Sequence, residues 1–384
     1  MKYKIGVVTG TRAEYGILKP LIEKIYKCKD LELCLIVTGT HLEEEFGNTY
    51  KEIENDNYPI SYRIPMNLKS DSKKNIVESM SKELNLFGTV LNSANPDMMV
   101  VLGDRYEILV AATAALIFNI PIAHIHGGEI TEGAVDDAIR HAITKLSYLH
   151  FASTEAYAKR IIQMGETPER VFNVGALGVE NIKKCKLLEH DELVTKYGSI
   201  FEQNYIMVTF HPVTLEEETS KKQFAQLLNV IDRHKEYNYI FTYANADADG
   251  KIINEMIDEY VLKNTNCVTY KSMGQTGYLS AIKYCTFVIG NSSSGIIEVP
   301  SFEKPSVNIG SRQKGRIKAE SVIDCNCTEK DIELAFNTAV SYKERFHNIV
   351  NPYEGEDTSD KILEIILNTL KGKIDMKKHF YDME

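Results

Sequence analysis

The residues best suited to chemistry lie in two short segments of the first half of the chain. One reads His-Ile-His-Gly-Gly-Glu and ends at Glu129, and the other begins with Asp136 and Asp137 and continues to Arg140 and His141. Carboxylates gathered with histidine at the carboxyl end of a strand are the groups that acid–base catalysis on a sugar requires. The ordinary alternative is that acids in a first helical turn only compensate the helix dipole. These residues alone leave both interpretations open.

The two histidines of the first segment raise the question of a metal site. Strand alternation puts His124 and His126 on the same face of a predicted strand. The glycine pair that follows indicates a tight turn or close approach to a ligand, and no third metal ligand stands at a fixed offset. We therefore predict no metal site here and keep His126 as a candidate for substrate binding.

Two further strand ends in the first half carry charge. The first predicted strand leads to Gly10 and Arg12, where glycine permits close backbone approach and a helix N-terminus favours an anion. Another predicted strand ends in Gly103, followed by Asp104 and Arg105, a charged pair placed to meet a substrate. The ordinary alternatives are a structural glycine turn and a helix N-cap by Asp104 with Arg105 in solvent. The sequence does not decide between them.

The second half offers an anion-binding loop between a strand and a helix. Serines bracketed by glycines would aim backbone N–H groups, hydroxyls and a helix dipole at one point. No lysine follows the glycine, so this is not a Walker A motif, and a serine-rich N-cap is the structural alternative. A carboxylate one turn later can accept hydrogen bonds from ribose hydroxyls. The candidate residues of this half are His211, Asn245, Ser292, Ser293, Ser294, Gly295, Glu298, Arg312 and Arg316.

Alternating strands and helices must position these residues. Near-continuous apolar runs, typical of parallel strands covered on both faces, alternate with helical patterns in each half of the chain. We predict two Rossmann-like, doubly wound α/β domains, residues 1–175 and 176–355, with a last helix in 356–384 that packs back on the first. The predicted strands are Tyr3–Thr9, Leu33–Thr38, Met98–Leu102, Ile122–Ile125, Leu149–Ala152, Tyr205–Thr209, Tyr239–Thr242, Cys267–Tyr270, Phe287–Ile289 and Ser306–Ile309.

Composition narrows the class of protein. A chain of 384 residues exceeds one core, and its net charge of −10 argues against a nucleic-acid or membrane surface. The most apolar stretch, 108–123, is broken by polar residues and is too short to span a bilayer, so we predict a buried helix running into a strand. Seven cysteines without metal-ligand spacing, and no secretory signal pattern, predict reduced thiols in a cytoplasmic protein, which we expect to be a homo-oligomer.

Taken together and in order, these motifs resemble the UDP-N-acetylglucosamine 2-epimerase family. The likeness runs from Lys4 to about Lys318 and is specific only in combination. Its markers are Thr-Gly-Thr-Arg at 9–12, Gly-Asp-Arg at 103–105, His-Ile-His-Gly-Gly-Glu at 124–129, Asp-Asp-Ala-Ile-Arg-His at 136–141, His-Pro at 211–212, Ser-Ser-Ser-Gly at 292–295 with Glu298, and Gly-Arg at 315–316.

The resemblance points to the hydrolysing branch of that family. The non-hydrolysing branch shows His-Val-Glu-Ala-Gly-Leu-Arg where this chain has Gly-Gly-Glu. The hydrolysing branch feeds the synthesis of sialic-acid-type sugars such as legionaminic acid, from UDP-N-acetylglucosamine or UDP-N,N′-diacetylbacillosamine. The resemblance implies the two-domain arrangement of GT-B glycosyltransferases, no cofactor and no catalytic metal. UDP would be bound by the second domain and the sugar by the first.

The resemblance also implies roles for the candidate residues. As UDP leaves carbon 1, the proton at carbon 2 becomes removable, a glycal forms, and rehydration from the other face gives the free manno sugar. The catalytic residues would be Asp104, Glu129, Asp136, Asp137 and His211. The substrate-binding residues would be Arg12, Arg105, His126, Arg140, His141, Asn245, Ser292, Ser293, Ser294, Gly295, Glu298, Arg312 and Arg316.

Three alternatives remain at this point. A non-hydrolysing 2-epimerase would keep the nucleotide on its product. A GT-B glycosyltransferase would share the UDP site but would need an acceptor and have no use for the acid-rich segment 128–141. A non-catalytic nucleotide-sugar sensor would not need the acids of the first domain.

Overall fold

The computed structural model describes residues 2–68, 72–132, 134–213, 219–244, 250–342 and 348–383. The chain divides into two compact units. The first unit comprises Met1–Glu129, Asp136–Asn181 and Tyr353–Glu384, and the second comprises Ile130–Val135 and Ile182–Pro352. The loop 130–135, which separates two of the predicted acidic positions, thus belongs to the second unit.

The first unit is built on a seven-stranded parallel sheet in the order β3-β2-β1-β4-β5-β6-β7. Its strands are β1 (Tyr3–Thr9), β2 (Leu31–Val37), β3 (Ile60–Arg63), β4 (Met98–Leu102), β5 (Ile122–Ile125), β6 (Leu149–Ala152) and β7 (Val171–Asn173). Its helices are α1 (Arg12–Lys27), α2 (Tyr50–Asn55), α3 (Lys73–Ala94), α4 (Tyr106–Ile117), α5 (Asp136–Leu146), α6 (Glu155–Gln163) and α14 (Thr358–Lys371), while α7 (Leu177–Lys184) lies where the chain passes to the second unit.

Both faces of this sheet are covered, which explains its continuously apolar strands. Val7 and Val100 face one core, and their neighbours Val8 and Val101 face another on the opposite side. The first of these cores includes Ile362 of α14. The last helix of the described chain therefore packs within the first unit.

The second unit carries a six-stranded parallel sheet in the order β10-β9-β8-β11-β12-β13. Its strands are β8 (Tyr205–Thr209), β9 (Asn238–Thr242), β10 (Cys267–Tyr270), β11 (Val288–Gly290), β12 (Ser306–Ile309) and β13 (Val322–Cys325). Its helices are α8 (His190–Tyr197), α9 (Ser220–Ile231), α10 (Gly250–Lys263), α11 (Gly274–Tyr284), α12 (Ser294–Ile297) and α13 (Glu329–Val340).

Each sheet reverses its strand order beside its own first strand. In the first sheet β1 lies between β2 and β4, and in the second β8 lies between β9 and β11. Open α/β sheets bind ligands outside the carboxyl ends of their strands at such a switch point. Asp104 follows β4 and His211 follows β8, so each unit presents predicted functional residues beside its own switch point.

The predicted fold class, two doubly wound α/β domains, is confirmed. All ten predicted strands are present, most within one residue of the predicted bounds, and the apolar stretch 108–123 is a buried helix leading into β5. The sequence missed β3, β7 and β13, because these are edge strands that lie partly in solvent and lack a continuous apolar run. No helix among the described residues combines the length and the apolar character that crossing a membrane requires.

Candidate active site

The buried guanidinium of Arg140 joins three of the predicted site residues of the first unit. It pairs with the carboxylate of Asp104, donates to the backbone carbonyl of Glu129 at 2.8 Å, and donates to Oδ1 of Asp137 at 3.4 Å. The Arg140 side chain is 1% exposed, whereas that of Asp104 is 23% exposed. Because a buried charge is tolerated only with charged and hydrogen-bonding partners, Arg140 fixes these three segments relative to one another. Arg140 therefore lies between the carboxylates of Asp104 and Asp137 and holds them in position.

The carboxylate of Glu129 is held from β6. Oε1 of Glu129 accepts a hydrogen bond from Oγ of Ser153 at 2.8 Å and lies 3.7 Å from Nδ1 of His126. Glu129 is only 2% exposed. Sequence reasoning missed Ser153, although it directly follows a correctly predicted strand and so stands at the strand end where site residues were sought.

A tight turn carries Glu129 out of β5. His126 adopts a left-handed backbone conformation with φ of +66°, which is uncommon for a residue other than glycine and is typical of constrained functional sites. Gly128 follows with φ of +76°, and a Cβ there would lie 2.5 Å from the Tyr157 carbonyl oxygen, so only glycine fits. Arg160 donates to the Gly128 carbonyl at 2.6 Å and closes the turn.

The turn also separates the roles of the two histidines. Strand alternation stops at Ile125, so the predicted shared face of His124 and His126 does not apply to the left-handed His126. His124 is fully buried, and its Nε2 lies 2.8 Å from the Gly103 carbonyl oxygen, so Nε2 carries a proton and donates. Burial lowers the pKa of His124 to about 3, which keeps its ring neutral.

The first turns of α5 carry the remaining acidic residues. Asp136 is the first residue of the helix and is half-buried. Asp137 reaches the next turn, where its Oδ2 lies 3.5 Å from Nε2 of His141. Burial lowers the pKa of His141, so this histidine is predominantly neutral at pH 7.

The turn after β1 rests on buried carboxyl groups that the sequence did not single out. Arg12 begins α1, and Oε2 of Glu14 accepts from the backbone N–H of Gly10 at 2.7 Å. Nε of Arg105 donates to the buried Glu107 at 2.6 Å. Burial, and then the nearby charge of Glu107, raises the pKa of Glu14 to about 8.

The structure differs from the ordinary alternative for the pair after β4 in the place of Arg105. The N-cap of α4 is Arg105, whose side chain makes no capping hydrogen bond. Arg105 is buried against Glu107 instead of lying in solvent. Asp104 pairs with Arg140.

In the second unit a neutral side chain, Asn291, organises the site. Its Oδ1 accepts from the backbone N–H of His211 at 2.7 Å, and its Nδ2 donates to the carbonyl of the same residue at 2.8 Å. The backbone carbonyl of Asn291 accepts from Nη1 of Arg312 at 3.1 Å and from Nε2 of Gln313 at 3.0 Å. Sequence reasoning missed Asn291 and Gln313, although Asn291 directly follows β11, a strand predicted one residue early.

The serine loop is built as a compact turn after β11. Gly290 has φ of +144°, and a Cβ there would lie 1.8 Å from the Thr209 carbonyl oxygen, so the strand end requires glycine. Ser292, Ser293 and Ser294 are partly exposed, and Tyr278 donates to Oγ of Ser294 at 3.1 Å. The helix that follows, α12, is a single turn, shorter than the sequence indicated, and Glu298 caps its C-terminus. Burial raises the pKa of the Glu298 carboxyl group, although its hydrogen bond with Ser294 opposes the change.

The cationic loop lies beyond β12. Arg312 and Arg316 are partly exposed, and the backbone N–H of Arg316 donates to the Gln313 carbonyl at 3.3 Å. Lys314 pairs with Glu132 at 2.9 Å, and the N–H of Glu132 donates to the Lys314 carbonyl at 3.3 Å. These contacts hold the loop 130–135 in the second unit.

The predicted residues therefore form two sets. In the first unit the structure brings together Asp104, Glu129, Asp137 and Arg140, with His126 and His141 alongside. In the second it brings together His211 and Arg312 through Asn291. Asn245 lies outside the described residues. Among the described residues, the His, Cys, Asp and Glu side chains close enough to hold an ion are Glu180, Asp357 and Asp360, and none of these belongs to either set.

Comparison with known proteins gives consistent matches along the chain. The family model described as UDP-N-acetylglucosamine 2-epimerase matches residues 23–367. The chain is 40% identical to the GDP/UDP-N,N′-diacetylbacillosamine 2-epimerase (hydrolyzing) of Campylobacter jejuni, covering 100% of both chains. It is 42% identical to the polysialic acid biosynthesis protein P7 of Escherichia coli, covering 99% of this chain and 97% of the other. Among solved structures, UDP-GlcNAc 2-epimerase from Neisseria meningitidis bound to UDP-GlcNAc superposes with a TM-score of 0.79 at 18% identity, covering 95% of this chain and 100% of the other.

Proposed function

The chain belongs to the UDP-N-acetylglucosamine 2-epimerase family, and from this premise we propose that it converts a UDP-linked 2-acetamido sugar into the free 2-epimeric sugar and UDP. The prediction of a hydrolysing UDP-sugar 2-epimerase is confirmed at the level of enzyme class, because the Campylobacter jejuni relative named as hydrolysing aligns over the full length. The observation that carries the proposal is the buried Arg140, which gathers Asp104, Glu129 and Asp137 beside the switch point of the first sheet.

The chemistry begins at carbon 1 of the sugar. The proton on carbon 2 is not acidic, because no carbonyl group is attached to that carbon. The bond from carbon 1 to the diphosphate oxygen therefore breaks first, and its electron pair leaves with UDP. A base then takes the proton from carbon 2, and a double bond forms between carbons 1 and 2. An acid then returns a proton to the opposite face of carbon 2, while water adds its oxygen to carbon 1 and gives up one proton to a carboxylate.

The acid and base of these steps come from Asp104, Glu129, Asp136 and Asp137. Proton transfer in both directions requires one ionised and one protonated carboxyl group. Arg140 supports this division by holding the carboxylates of Asp104 and Asp137 and the backbone of Glu129. The positive charge that develops on the ring as UDP leaves is stabilised by nearby carboxylates, which favours the same location.

Binding of UDP is assigned to the second unit. Ser292–Gly295 and the cations Arg312 and Arg316 supply hydroxyl groups and charge for the diphosphate, and Glu298 accepts from the ribose. Asn291 supports this role, because it connects the His211 backbone with the Arg312 side chain. His211 would assist the leaving phosphate. In the first unit, Arg12, Arg105, His126 and His141 are proposed to contact substrate.

Proton NMR in deuterated water tests the activity and the substrate together. The enzyme is incubated with UDP-N-acetylglucosamine in one tube and UDP-N,N′-diacetylbacillosamine in another, without an acceptor. We expect deuterium at carbon 2 of a released manno sugar, together with free UDP, in at least one tube, and the faster tube identifies the substrate.

Each alternative gives a different result in the same experiment. A non-hydrolysing epimerase exchanges the proton but leaves UDP on the sugar. A glycosyltransferase without acceptor shows no deuterium at carbon 2, and a sensor binds without turnover. Any of these three results would overturn the proposed hydrolysing activity.

We further propose a homo-oligomer in the cytoplasm. The seven cysteines, which all carry free thiols in the structure, suit a reducing compartment. Light scattering on the purified protein and fractionation of the native cells test the two statements. A monomeric mass or a secreted protein would contradict them.

A further inference from the structure

The residues that follow α14 form a segment that the proposed function does not use. We call residues 373–383 the C-terminal tail. Ile374 and Met376 pack against the core of the first unit. Beyond them, Lys378, Phe380 and Tyr381 each contact the segment 145–166, although the side chains of Phe380 and Tyr381 stay largely exposed.

Lys378 completes the C-terminal end of α5. Its Nζ donates to the carbonyl oxygens of Lys145 at 2.9 Å and Ser147 at 2.6 Å. The last carbonyl groups of a helix have no partners within the helix, and a cation there is favoured by the helix dipole. A lysine distant in sequence thus supplies the C-terminal cap of the helix that carries Asp136, Asp137 and Arg140.

The same ammonium group pairs with a buried carboxylate. Nζ of Lys378 lies 2.6 Å from Oε2 of Glu166, whose side chain is 1% exposed. Glu166 also accepts from Lys145 at 2.6 Å and lies 3.0 Å from Nε2 of His150. Burial alone would raise the pKa of Glu166, but the hydrogen bonds from His150, Lys145 and Lys378 lower it to about 2. Glu166 is therefore ionised, and it ties the tail, the end of α5 and β6 together.

Two neighbouring contacts secure this end of the tail. The backbone N–H of Tyr381 donates to the Gly165 carbonyl at 3.0 Å. The ring of Phe380 lies directly on Gly165, where a Cβ would approach within 2.3 Å, and Nζ of Lys145 lies 5.2 Å from the centre of that ring. The absence of a side chain at Gly165 therefore lets the Phe380 ring pack against the backbone, and a larger residue at 165 would clash with that ring.

The apolar face of α5 packs against the core of the first unit through the buried Ile143, and separate polar contacts hold its two ends. The residues immediately before it, Ile130–Val135, belong to the second unit, so no preceding segment of the first unit leads into this helix. Near its start α5 is held by Arg140, and at its end by the tail. A shift of the end along the helix axis would be transmitted to Asp137 and Arg140, because a helix of 11 residues moves as a rigid body.

We propose that the C-terminal tail is a positioning element of the acid–base site, with Lys378 as the positioning residue that fixes α5. This inference rests on the proposed function, since it gives the tail a role only if the carboxylates gathered by Arg140 perform the chemistry. Displacements of about 1 Å at such a site lower turnover by about 100-fold in other enzymes. The tail is expected to act on turnover, because Lys378 and Tyr381 bond the end of α5 and the residues that follow α6.

Substitution of Lys378 by methionine tests the proposal. The kcat, the KM and the affinity for UDP are measured at a temperature where circular dichroism shows the folded protein. For Lys378→Met we expect kcat to fall by about 10- to 100-fold, with the KM and the UDP affinity within about twofold of the unaltered protein. Lys378→Arg should keep most of the turnover, because it retains a cation at the helix end. The control is Lys377→Met, an adjacent exposed lysine, which should turn over normally.

A double variant keeps the proposal testable if Lys378→Met does not fold. Lys378→Met leaves the buried Glu166 with one partner fewer, whereas Glu166→Gln with Lys378→Met removes the charge as well. We expect the double variant to fold and to show the same loss of kcat. Normal turnover in the folded double variant overturns the role of the tail.

The amide variant Asp104→Asn separates this proposal from the proposed function. If Lys378→Met is fully active and Asp104→Asn is not, the tail proposal is wrong and the proposed function stands. If both are fully active, the acid–base site itself is wrongly assigned.

Discussion

The two units share a sheet design but hold their functional residues by different means. In the first unit, buried charges hold one another: Arg140 fixes Asp104 and the Glu129 turn, and Arg105 pairs with Glu107. In the second unit, the neutral side-chain amide of Asn291 holds the His211 backbone, and the backbone carbonyl of Asn291 accepts from the Arg312 side chain. The serines around Asn291 remain partly exposed.

The difference suits the two tasks that we propose for the units. A buried ion network is stable only when every member is present, so it keeps charged groups in one geometry away from water. Acid–base catalysis needs such preorganised charge. A site that must accept and release a charged nucleotide is better served by hydroxyl groups and cations that stay hydrated between turnovers, on a scaffold without charge of its own.

Amide replacement of the carboxylates should give the largest effect and should be confined to turnover. Glu129→Gln, Asp104→Asn, Asp136→Asn and Asp137→Asn keep shape and remove proton transfer, so each essential acid should lose about 10²- to 10⁴-fold in kcat. UDP affinity by calorimetry should stay unchanged, and the exposed Glu155→Gln serves as the control. If all four variants fold and turn over at the normal rate, the catalytic role of the first unit is wrong.

Arg316→Ala should weaken UDP affinity more than it lowers kcat, the reverse of the pattern expected for the carboxylates. The loss of a charge-assisted contact should weaken UDP binding by about 1.5–3 kcal/mol, with a smaller effect on kcat at saturating substrate. Calorimetry with UDP measures this, and Lys318→Ala, which removes a nearby cation paired with Asp324, is the matched control. Unchanged affinity would remove Arg316 from the nucleotide site.

Ser153→Ala should have a smaller effect that is again limited to kcat. The variant removes one hydrogen bond to Glu129 and leaves the carboxylate in place, which corresponds to about 0.5–1.5 kcal/mol, or up to about tenfold in turnover. Steady-state kinetics of this variant and of Ser93→Ala, on the exposed side of α3, provide the comparison. Equal rates for the two would show that Glu129 does not depend on β6.

The buried carboxyl groups of the first unit should make its stability depend on pH. The pKa of Glu14 is raised from its ordinary value of about 4.5 to about 8, so the native state binds this proton more tightly than the unfolded state does. Its contribution to stability is therefore complete below about pH 4.5 and is lost as the pH rises to about 8.

Glu14→Gln removes this dependence, because the amide mimics the protonated acid and can still accept from Gly10. We expect Tm to rise by about 2–4 °C at pH 8.5, corresponding to about 1 kcal/mol, with little change at pH 4.5. Thermal melts at the two pH values check this against Glu45→Gln on the surface. An equal change at both pH values would mean that Glu14 is ionised throughout.

Exhaustive chelation should have the smallest effect of all, namely none on turnover. The residues proposed to bind the diphosphate are arginines and serines, which need no metal. Nε2 of His124, a nitrogen that could ligate a metal, is hydrogen-bonded to the Gly103 carbonyl instead. Activity before and after chelation is the measurement. A loss that one divalent ion restores would show that a metal takes part and that the prediction from the sequence was wrong.

The sequence predicted the strand ends well because buried parallel strands have a distinctive composition. Asp104, Glu129 and His211 could all be found by reading forward from an apolar run. The role of Arg140 as a buried partner of Asp104 could not be found in this way. Asp104 stands 36 positions earlier, and helical spacing alone does not show which face of a helix is buried. Ser153 and Asn291 were missed for another reason: serine and asparagine after a strand are common in turns, and only their partners reveal a role.

Other features depend on tertiary contacts that local patterns do not encode. The assignment of loop 130–135 to the second unit rests on Glu132 and Lys314, which are far apart in sequence. The serine loop indicated a longer helix than the single turn of α12, because the apolar residues after it continue as a short 3₁₀ turn, Val299–Phe302. The left-handed backbone of His126 could not be read from residue type, since only a few per cent of residues other than glycine adopt it, even though histidine is enriched among them.

The interrupted course of the first unit has a consequence for how the protein is made. Its core requires α14, which leaves the ribosome only after every strand of the second sheet has been synthesised. Domains usually fold as units in the order of synthesis, but here the later sheet has all its strands while the earlier one still lacks a covering helix. A nascent chain halted before α14 would expose the face of α1 that this helix covers, an apolar surface suited to chaperone binding. The proposed acid–base site is thus expected to mature last, after the sheet assigned to the nucleotide.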